Sequence, residues 1–266
     1  MGLRQLLRDA GCIVFKAGTS TLIHDAGKIN LKAVEEISLV LSDLANSGRK
    51  VVLVTSGAIG AGVGKLGLGQ RPTDTAEKQA VSTIGQCELM FMYDKMFGQY
   101  SRSVGQLLIT KADFDHPDRR ENLLRAIGKL FEYGAVPIVN ENDAVAVDEI
   151  VYGDNDSLSA AVAKLISADA LVILTETDGM YDSNPATNPG AKRIPFVREI
   201  TDELRIIAEK TMSGFGTGGM ATKLLAAEAA ALAGIDAYVI SGKNPRDNIY
   251  ALLEGADIGT HFIRRR

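Results

Sequence analysis

Two lysines stand beside glycine-rich stretches, and both suit a bound phosphate group. Lys16 ends an apolar run and is followed by Ala17-Gly18-Thr19-Ser20, while Lys223 closes the segment 216–223, Gly-Thr-Gly-Gly-Met-Ala-Thr-Lys. An ammonium group supplies positive charge, and glycine lets the backbone approach a ligand closely. The second segment runs into a predicted helix, whose free N–H groups favour an anion. It predicts a phosphate cradle, although the P-loop spacing Gly-x-x-x-x-Gly-Lys-Ser/Thr does not occur in this sequence. A solvated lysine and a flexible linker are the plainer alternatives.

A third glycine-rich segment, 55–62, follows a predicted buried strand and contains Ser56. Small residues that open a helix favour a carboxylate or a phosphate, although tight packing would explain them equally well. Two triplets, Gly62-x-Gly64-x-x-Gly67 and Gly214-x-Gly216-x-x-Gly219, also fit the dinucleotide-binding pattern. The first lies too far beyond its strand and the second follows a helical pattern, so we expect both matches to be accidental.

Short polar side chains gather in two further segments, 140–143 (Asn-Glu-Asn-Asp) and 153–156 (Gly-Asp-Asn-Asp). Turn formation and a helix N-cap at Asp156 would account for one or two of these residues, but not for all seven Asn, Asp and Glu side chains. Such groups can hold an amino group of a substrate, orient a lysine, or bind Mg²⁺. We therefore interpret the two segments as parts of one site.

Apolar runs and helical patterns alternate along the chain, which predicts an α/β sandwich with helices on both sides of a mostly parallel sheet. We treat it as one domain with two lobes, spanning about 1–150 and about 151–266. Ligands of such sheets bind beyond the carboxyl ends of the strands, where the polar segments lie. The predicted strands are Cys12–Lys16, Val51–Val54, Val104–Ile109, Val136–Val139, Leu171–Leu174 and Ala237–Ile240.

Composition argues against several classes of protein. A net charge of -4 gives no broad basic surface for nucleic acid. Two cysteines are too few for a disulfide framework, and three widely spaced histidines do not suggest zinc or a nucleophilic triad. No apolar run reaches the length of a membrane span, and the N-terminus lacks a secretory signal, so we expect a cytoplasmic protein.

Taken in order, these motifs resemble the amino-acid kinase family, and within it the members that phosphorylate glutamate. The resemblance covers essentially all 266 residues. It implies that fold in one domain, without the C-terminal PUA-type domain of many relatives. It also implies transfer of the γ-phosphate of ATP, with Mg²⁺, to the γ-carboxylate of L-glutamate, which begins proline biosynthesis. The stretches that carry it are 14–20, 54–59, 139–145, 153–160 and 216–223.

The resemblance also implies roles for single residues. Lys16 and Lys223 would stabilise the transferring phosphoryl group, and Asp156 would organise them. Contacts to glutamate are expected from Ser56, Asp143 and Asn155. The ATP site would include Lys16 together with Thr175, Glu176, Thr217, Gly218, Gly219, Met220, Ala221, Thr222 and Lys223. Family members often have Leu at the position of Ala17 and Asp at that of Glu176, which are conservative departures.

The implied partners are proline as a feedback inhibitor, a glutamyl-phosphate reductase that consumes the product, and further copies of the chain. Met- and Phe-rich sequence near 80–100 could form the interface between copies or belong to the core. Three alternatives stay open: a kinase with another acceptor such as acetylglutamate, aspartate, carbamate or UMP, a non-catalytic amino-acid sensor, and an NAD-dependent enzyme.

Overall fold

The computed structural model describes residues 5–146, 155–210 and 219–265, which form an eight-stranded sheet between two layers of helices. The strand order is β3-β4-β2-β1-β5-β7-β8-β6. Neighbours are parallel except at β7 and β8, which pair antiparallel, and β6 is parallel to β8. The strands are β1 Cys12–Ala17, β2 Lys50–Thr55, β3 Val104–Ile109, β4 Val136–Glu141, β5 Ala170–Thr175, β6 Phe196–Val197, β7 Asp236–Ser241 and β8 Thr260–Phe262.

All six predicted strands are confirmed, and observed and predicted ends agree to within two residues. The central ones are apolar on both faces, as expected where helices cover both sides of a parallel sheet. The short strands β6 and β8 were not predicted, because runs of two or three residues carry no usable periodicity. Strand β1 pairs with β2 on one side and β5 on the other, so the two predicted lobes share one sheet. The division into lobes stays a prediction.

Helices fill the connections between the strands. Asn30 is the N-cap of α3, since its side chain accepts a hydrogen bond from the N–H of Ala33 at 3.2 Å. Asp156 lies inside α8, which already includes Asn155, so the alternative explanation of Asp156 as an N-cap does not hold. The helices are α1 Gln5–Arg8, α2 Thr19–Leu22, α3 Leu31–Asn46, α4 Ala58–Leu66, α5 Thr75–Gly98, α6 Lys111–Asp115, α7 Pro117–Glu132, α8 Asn155–Leu165, α9 Asp202–Lys210, α10 Met220–Leu232 and α11 Pro245–Leu253.

The hydrophobic core has two parts, one on each face of the sheet. Because side chains alternate along a strand, Ile13 and Phe15 of β1 face α3, α5 and α11, whereas Val14 faces α8 and α10. Lys16 follows Val14 by two residues, so it points to the side of α8 and α10. This three-layer arrangement confirms the predicted fold class. No helix in the described ranges is long and apolar enough to cross a bilayer.

Helices α4 and α5 cross at backbone contact distance. A Cβ atom added to Gly85 of α5 would lie 1.7 Å from the carbonyl oxygen of Ala58, and one added to Gly62 of α4 would lie 2.1 Å from that of Val81. Only glycine fits at such a crossing. The triplet Gly62, Gly64 and Gly67 therefore belongs to α4 and its C-cap, not to a dinucleotide-binding turn, as expected from its distance to the strand.

Candidate active site

Lys16, Asp156 and Lys223 form a buried cluster beyond the carboxyl end of β1. Lys16 leaves that strand, Asp156 lies in the first turn of α8, and Lys223 lies in the first turns of α10. Lys16 Nζ is 2.6 Å from one carboxylate oxygen of Asp156, and Lys223 Nζ is 3.1 Å from the other. Their exposed fractions are 5%, 0% and 6% in chain order. The structure thus brings the three predicted catalytic residues together.

The contacts within the Lys16–Asp156–Lys223 cluster keep the Asp156 carboxylate ionised. Burial alone would raise the pKa of Asp156, but the two lysine charges and hydrogen bonds from Lys16 and Thr222 hold that pKa well below its usual range. The carboxylate therefore stays ionised at neutral pH. Two ammonium groups around one carboxylate leave one formal positive charge, in a pocket where water screens it poorly. Such a site attracts a polyanion.

The loop before α10 adds hydroxyl and carbonyl groups to the cluster. Thr222 Oγ1 donates to Asp156 Oδ2 at 2.8 Å and also lies 2.9 Å from the carbonyl oxygen of Gly219. Lys223 Nζ lies 3.4 Å from that same oxygen. Gly219 is the N-cap, and Met220 and Ala221 form the first turn. Two residues predicted to bind ATP, Thr217 and Gly218, lie outside the described residues.

A second group of polar side chains meets on the β2 and β4 side of the cluster. Asn155 Nδ2 lies 2.9 Å from three acceptors: the Thr55 carbonyl oxygen, Ser56 Oγ and Asn140 Oδ1. Two predicted substrate contacts, Ser56 and Asn155, are therefore hydrogen-bonded to each other. Asn155 and Asp156 are adjacent in the chain, so the hydrogen-bonded side chains of Ser56, Asn140 and Asn155 lie next to the lysine cluster.

The third predicted substrate contact, Asp143, lies in the turn that follows β4. It is half-buried and stands three residues beyond Asn140, so β4 brings it to the same edge of the sheet. Of the other predicted segment, Gly153 and Asp154 lie outside the described residues. The structure therefore describes six of the seven acidic and amide side chains: two on β4, two directly after it and two on α8, of which Asp156 belongs to the lysine cluster.

Two residues of α5 that sequence reasoning did not select, Gln86 and Tyr93, form hydrogen bonds with Asn140 and Thr55. Asn140 Nδ2 donates to Gln86 Oε1 of α5 at 2.7 Å, and both side chains are buried. Thr55 Oγ1 lies 2.7 Å from the hydroxyl of Tyr93, also on α5, and burial raises the pKa of that phenol far above its ordinary value. The only sequence signal was a polar residue, Gln86, on a helical stripe that is mainly apolar but also contains Ser82.

Thr175 and Glu176, predicted to bind ATP, come directly after β5. They line a cavity of about 320 Å³ together with residues of α3 and of the loop after β7, among them Lys32, Glu36 and Lys243. Its lining includes none of the three cluster residues. Thr175 and Glu176 thus lie at the same edge of the sheet as the lysines, because β5 runs parallel to β1.

Within the described ranges, no group of three or more His, Cys, Asp or Glu side chains is placed to hold a metal ion. Asp156 is committed to two lysines. Mg²⁺ is commonly held by substrate phosphates with only one or two carboxylates. The donors present therefore fit a metal ion that arrives with a nucleotide better than one in a dedicated protein site.

The sequence matches the model of the amino acid kinase family over residues 11–241. The chain belongs to this family. Similar curated proteins include a glutamate 5-kinase of Clostridium perfringens, 47% identical over 99% of both chains. A glutamate 5-kinase of Listeria monocytogenes is 47% identical over 99% of this chain and 97% of its own. One from Lactococcus lactis is 48% identical over 95% of both.

Solved structures of more distant relatives have the same amino-acid kinase fold. A UMP kinase from Bacillus anthracis matches with a TM-score of 0.62 at 17% identity, covering 97% of both chains. A UMP kinase from Ureaplasma parvum matches with a TM-score of 0.64 at 17% identity, covering 95% of this chain and 98% of its own. At this identity the likeness concerns the fold alone.

Proposed function

We propose that this chain transfers the γ-phosphate of ATP to the side-chain carboxylate of L-glutamate, forming L-glutamyl 5-phosphate and ADP. The observation that carries the proposal is the buried Lys16–Asp156–Lys223 cluster, in which one carboxylate holds two ammonium groups at 2.6 and 3.1 Å. Full-length relatives that are named glutamate 5-kinase, at 47% identity, support the choice of acceptor.

The chemistry fits these side chains. A glutamate side chain has an ordinary pKa of about 4.3, so its carboxylate is already ionised at neutral pH and needs no general base. One oxygen of that carboxylate bonds to the γ-phosphorus while the bond from phosphorus to the β–γ bridging oxygen breaks, and ADP leaves. The barrier is repulsion between anions. Lys16 and Lys223 lower it by facing the phosphoryl oxygens, and Asp156 keeps both ammonium groups in place.

In this proposal Ser56, Asn155 and Asp143 hold the acceptor. Ser56 and Asn155 lie together at the carboxyl ends of β2 and β4, and Asp143 follows in the turn after β4. Free glutamate carries an ammonium group, which suits an acidic side chain and amide oxygens. Acetylglutamate lacks that ammonium group. A UMP acceptor would call for extra basic residues, and none stands out in the sequence beside Ser56 or Asp143.

The nucleotide lies on the other side of the cluster. Residues 217–223 and Lys16 would hold its phosphates, and Thr175 with Glu176 would contact the remainder. Mg²⁺ would arrive bound to the phosphates and help to neutralise their charge. Apart from Lys16 and Asn155, this division assigns the acceptor to the lobe of about 1–150 and ATP to that of about 151–266.

The product is an acyl phosphate, which reacts with water and with its own amine. A reductase that consumes it is therefore the expected partner. The chain itself would catalyse the first reaction of proline synthesis, with proline as a feedback inhibitor. The further partner is a second copy of the chain. On α5, Phe91 is 62% exposed and Ile84 39% exposed, which suits such an interface, whereas Met92 and Phe97 belong to the core.

A hydroxamate assay tests the proposal. The purified chain is incubated with ATP, Mg²⁺ and hydroxylamine, and with glutamate, aspartate, acetylglutamate or no acceptor. Hydroxylamine traps an acyl phosphate as a coloured hydroxamate. We expect hydroxamate and ADP in equal amounts only with glutamate, and neither from Lys223→Ala. Signal with acetylglutamate alone would keep the mechanism and overturn the acceptor. No signal from folded, ATP-binding protein would favour the amino-acid sensor, and a failed NAD titration would remove the dehydrogenase alternative.

A further inference from the structure

Gln86 is a buried amide whose presence the packing of α5 does not explain. Its side chain is 8% exposed, and its Oε1 accepts a hydrogen bond from Asn140 Nδ2 at 2.7 Å. Its Nε2 is also buried and has no hydrogen-bond partner among the residues that the structure describes. A buried donor without a partner is costly, and an apolar side chain of the same shape would avoid that cost. Gln86 is therefore best explained by what its oxygen does.

The oxygen of Gln86 meets an amide whose orientation is independently fixed. The backbone N–H of Glu141 donates to Asn140 Oδ1 at 2.9 Å. A backbone N–H can only donate, so this contact must involve the oxygen of the Asn140 amide and not its nitrogen. The nitrogen then faces Gln86, in agreement with the observed contact. Gln86 and the Glu141 backbone thus hold Asn140 from both ends.

Asn140 in turn fixes the orientation of Asn155. The nitrogen of Asn155 donates to Asn140 Oδ1 and to the carbonyl oxygen of Thr55, both of which can only accept. Its oxygen makes no hydrogen bond to any residue in the described ranges. That oxygen is therefore the atom of the Asn155 amide left to meet a ligand, and it is an acceptor.

Helix α5, which carries Gln86, is held rigidly against α4. Gln86 follows Gly85, whose missing side chain lets α5 lie directly on the backbone of Ala58 in α4. Helix α4 starts just after Ser56, which also contacts Asn155. The position of Gln86 relative to Ser56 is thus set by backbone contact between α4 and α5 and not by flexible side chains.

We propose that Gln86 is a positioning residue of the acceptor site: through Asn140 it holds the Asn155 amide with its carbonyl oxygen toward the ammonium group of an amino-acid substrate. The inference rests on the proposed function and deepens it, because it assigns recognition of the ammonium group to an amide oxygen. Without Gln86, the Asn140 amide loses an acceptor for its N–H and no longer constrains Asn155 from one side.

The test is Gln86→Leu, measured by steady-state kinetics. We expect the KM for glutamate to rise by about three- to tenfold, the loss of one neutral hydrogen bond, with kcat and the KM for ATP nearly unchanged. The inhibition constant of glutarate, which lacks the ammonium group, should stay the same. The melting temperature should change little, because leucine removes the unpaired Nε2 but leaves Asn140 Nδ2 unpaired in its place.

Controls separate positioning from general damage. Ser82→Ala removes another buried polar group of α5, a hydroxyl that donates to the Gln79 carbonyl oxygen of the same helix, and should leave the KM for glutamate unchanged. Gln86→Met, an unbranched replacement, repeats the measurement if the leucine variant does not fold. In an Asn140→Ala background, Gln86→Leu should have no further effect on that KM.

Three results would overturn the inference: an unchanged KM for glutamate, an equal rise in the glutarate inhibition constant, or effects of Gln86 and Asn140 that multiply. Failure of the proposed function itself would be seen separately, because the unaltered chain would then form no glutamate-dependent hydroxamate.

Discussion

Lys223→Ala is the most informative single change, because it alters the net charge of the Lys16–Asp156–Lys223 cluster without removing the central carboxylate. Lys16, Asp156 and Lys223 together carry one formal positive charge. In the variant, Lys16 and Thr222 still contact the Asp156 carboxylate, so the cluster keeps its main pairing but becomes neutral. The phosphoryl group would then face a site with no net attraction.

The size of the effect follows from distance and screening. A unit charge about 4 Å from a phosphoryl oxygen contributes about 4 kcal/mol at an effective dielectric constant of about 20, which suits a poorly hydrated pocket. That energy corresponds to roughly a thousandfold in rate. Loss of one well-placed donor in other enzymes costs about 10²–10³ in kcat. We expect a decrease within that range.

The assay is ADP release with saturating glutamate and ATP, and Lys164→Ala serves as the matched control. Lys164 lies on α8, eight residues after Asp156, and its side chain is exposed, so its removal should leave kcat unchanged. A kcat for Lys223→Ala within tenfold of the unaltered chain would refute the role of this lysine in phosphoryl transfer. Lys16→Ala should fall in the same range, because its ammonium group is equally buried and lies closer to Asp156.

Three further predictions concern the acceptor, the cluster and the packing. Asp143→Ala should raise the KM for glutamate by about tenfold or more and leave that for ATP unchanged, since a charged partner of the ammonium group is lost; the reverse pattern in initial rates would refute this division of the site. Because the folded pKa of Asp156 lies below its unfolded value of about 3.9, this group stabilises the fold above about pH 4 and loses that effect as the pH falls through the folded pKa. Asp156→Asn should therefore lower the free energy of unfolding by about 3–5 kcal/mol at pH 7 and by less near pH 3, as measured in urea; a pH-independent difference would contradict the charge pairing. Gly85→Ala should unfold or strongly destabilise the chain, because its Cβ would lie 1.7 Å from a backbone oxygen, whereas Gly128→Ala in α7, where a Cβ meets nothing within 4 Å, should be neutral or stabilising in thermal melts.

Much of the fold was predictable because its signals are local. Buried parallel strands are continuous apolar runs, and a run such as Val136–Val139 needs no knowledge of its neighbours to be recognised. The helix that begins after Asn30 has both a cap and a stripe. What escaped prediction was short or interrupted: β6, β8 and the first residues of α8, where Asn155 and Asp156 have turn-like side chains but lie inside the helix.

In the candidate site, too, local features were predictable and long-range contacts were not. Lys16, Ser56 and Asp156 could be selected individually, because each lies in a segment with a local chemical signal at the end of a strand or the start of a helix. Their mutual contacts could not be read in this way. The pairing of Asp156 with Lys223 joins residues 67 positions apart, and that of Asn140 with Gln86 joins residues 54 apart. Such pairs depend on the order of strands in the sheet, which no local pattern encodes.

Gln86 shows why the second layer of a site is harder to predict than the first. A residue that meets substrate tends to lie in a polar, glycine-rich segment, since it must be reached by a ligand. A residue that orients another side chain lies within the core, and its neighbours on α5, such as Leu89, follow the apolar pattern of any buried helix. Its polar character then looks like an exception in the sequence. In the structure the Gln86 side chain accepts a hydrogen bond from Asn140. Asn140 in turn contacts Asn155, the amide that we assign to binding of the acceptor.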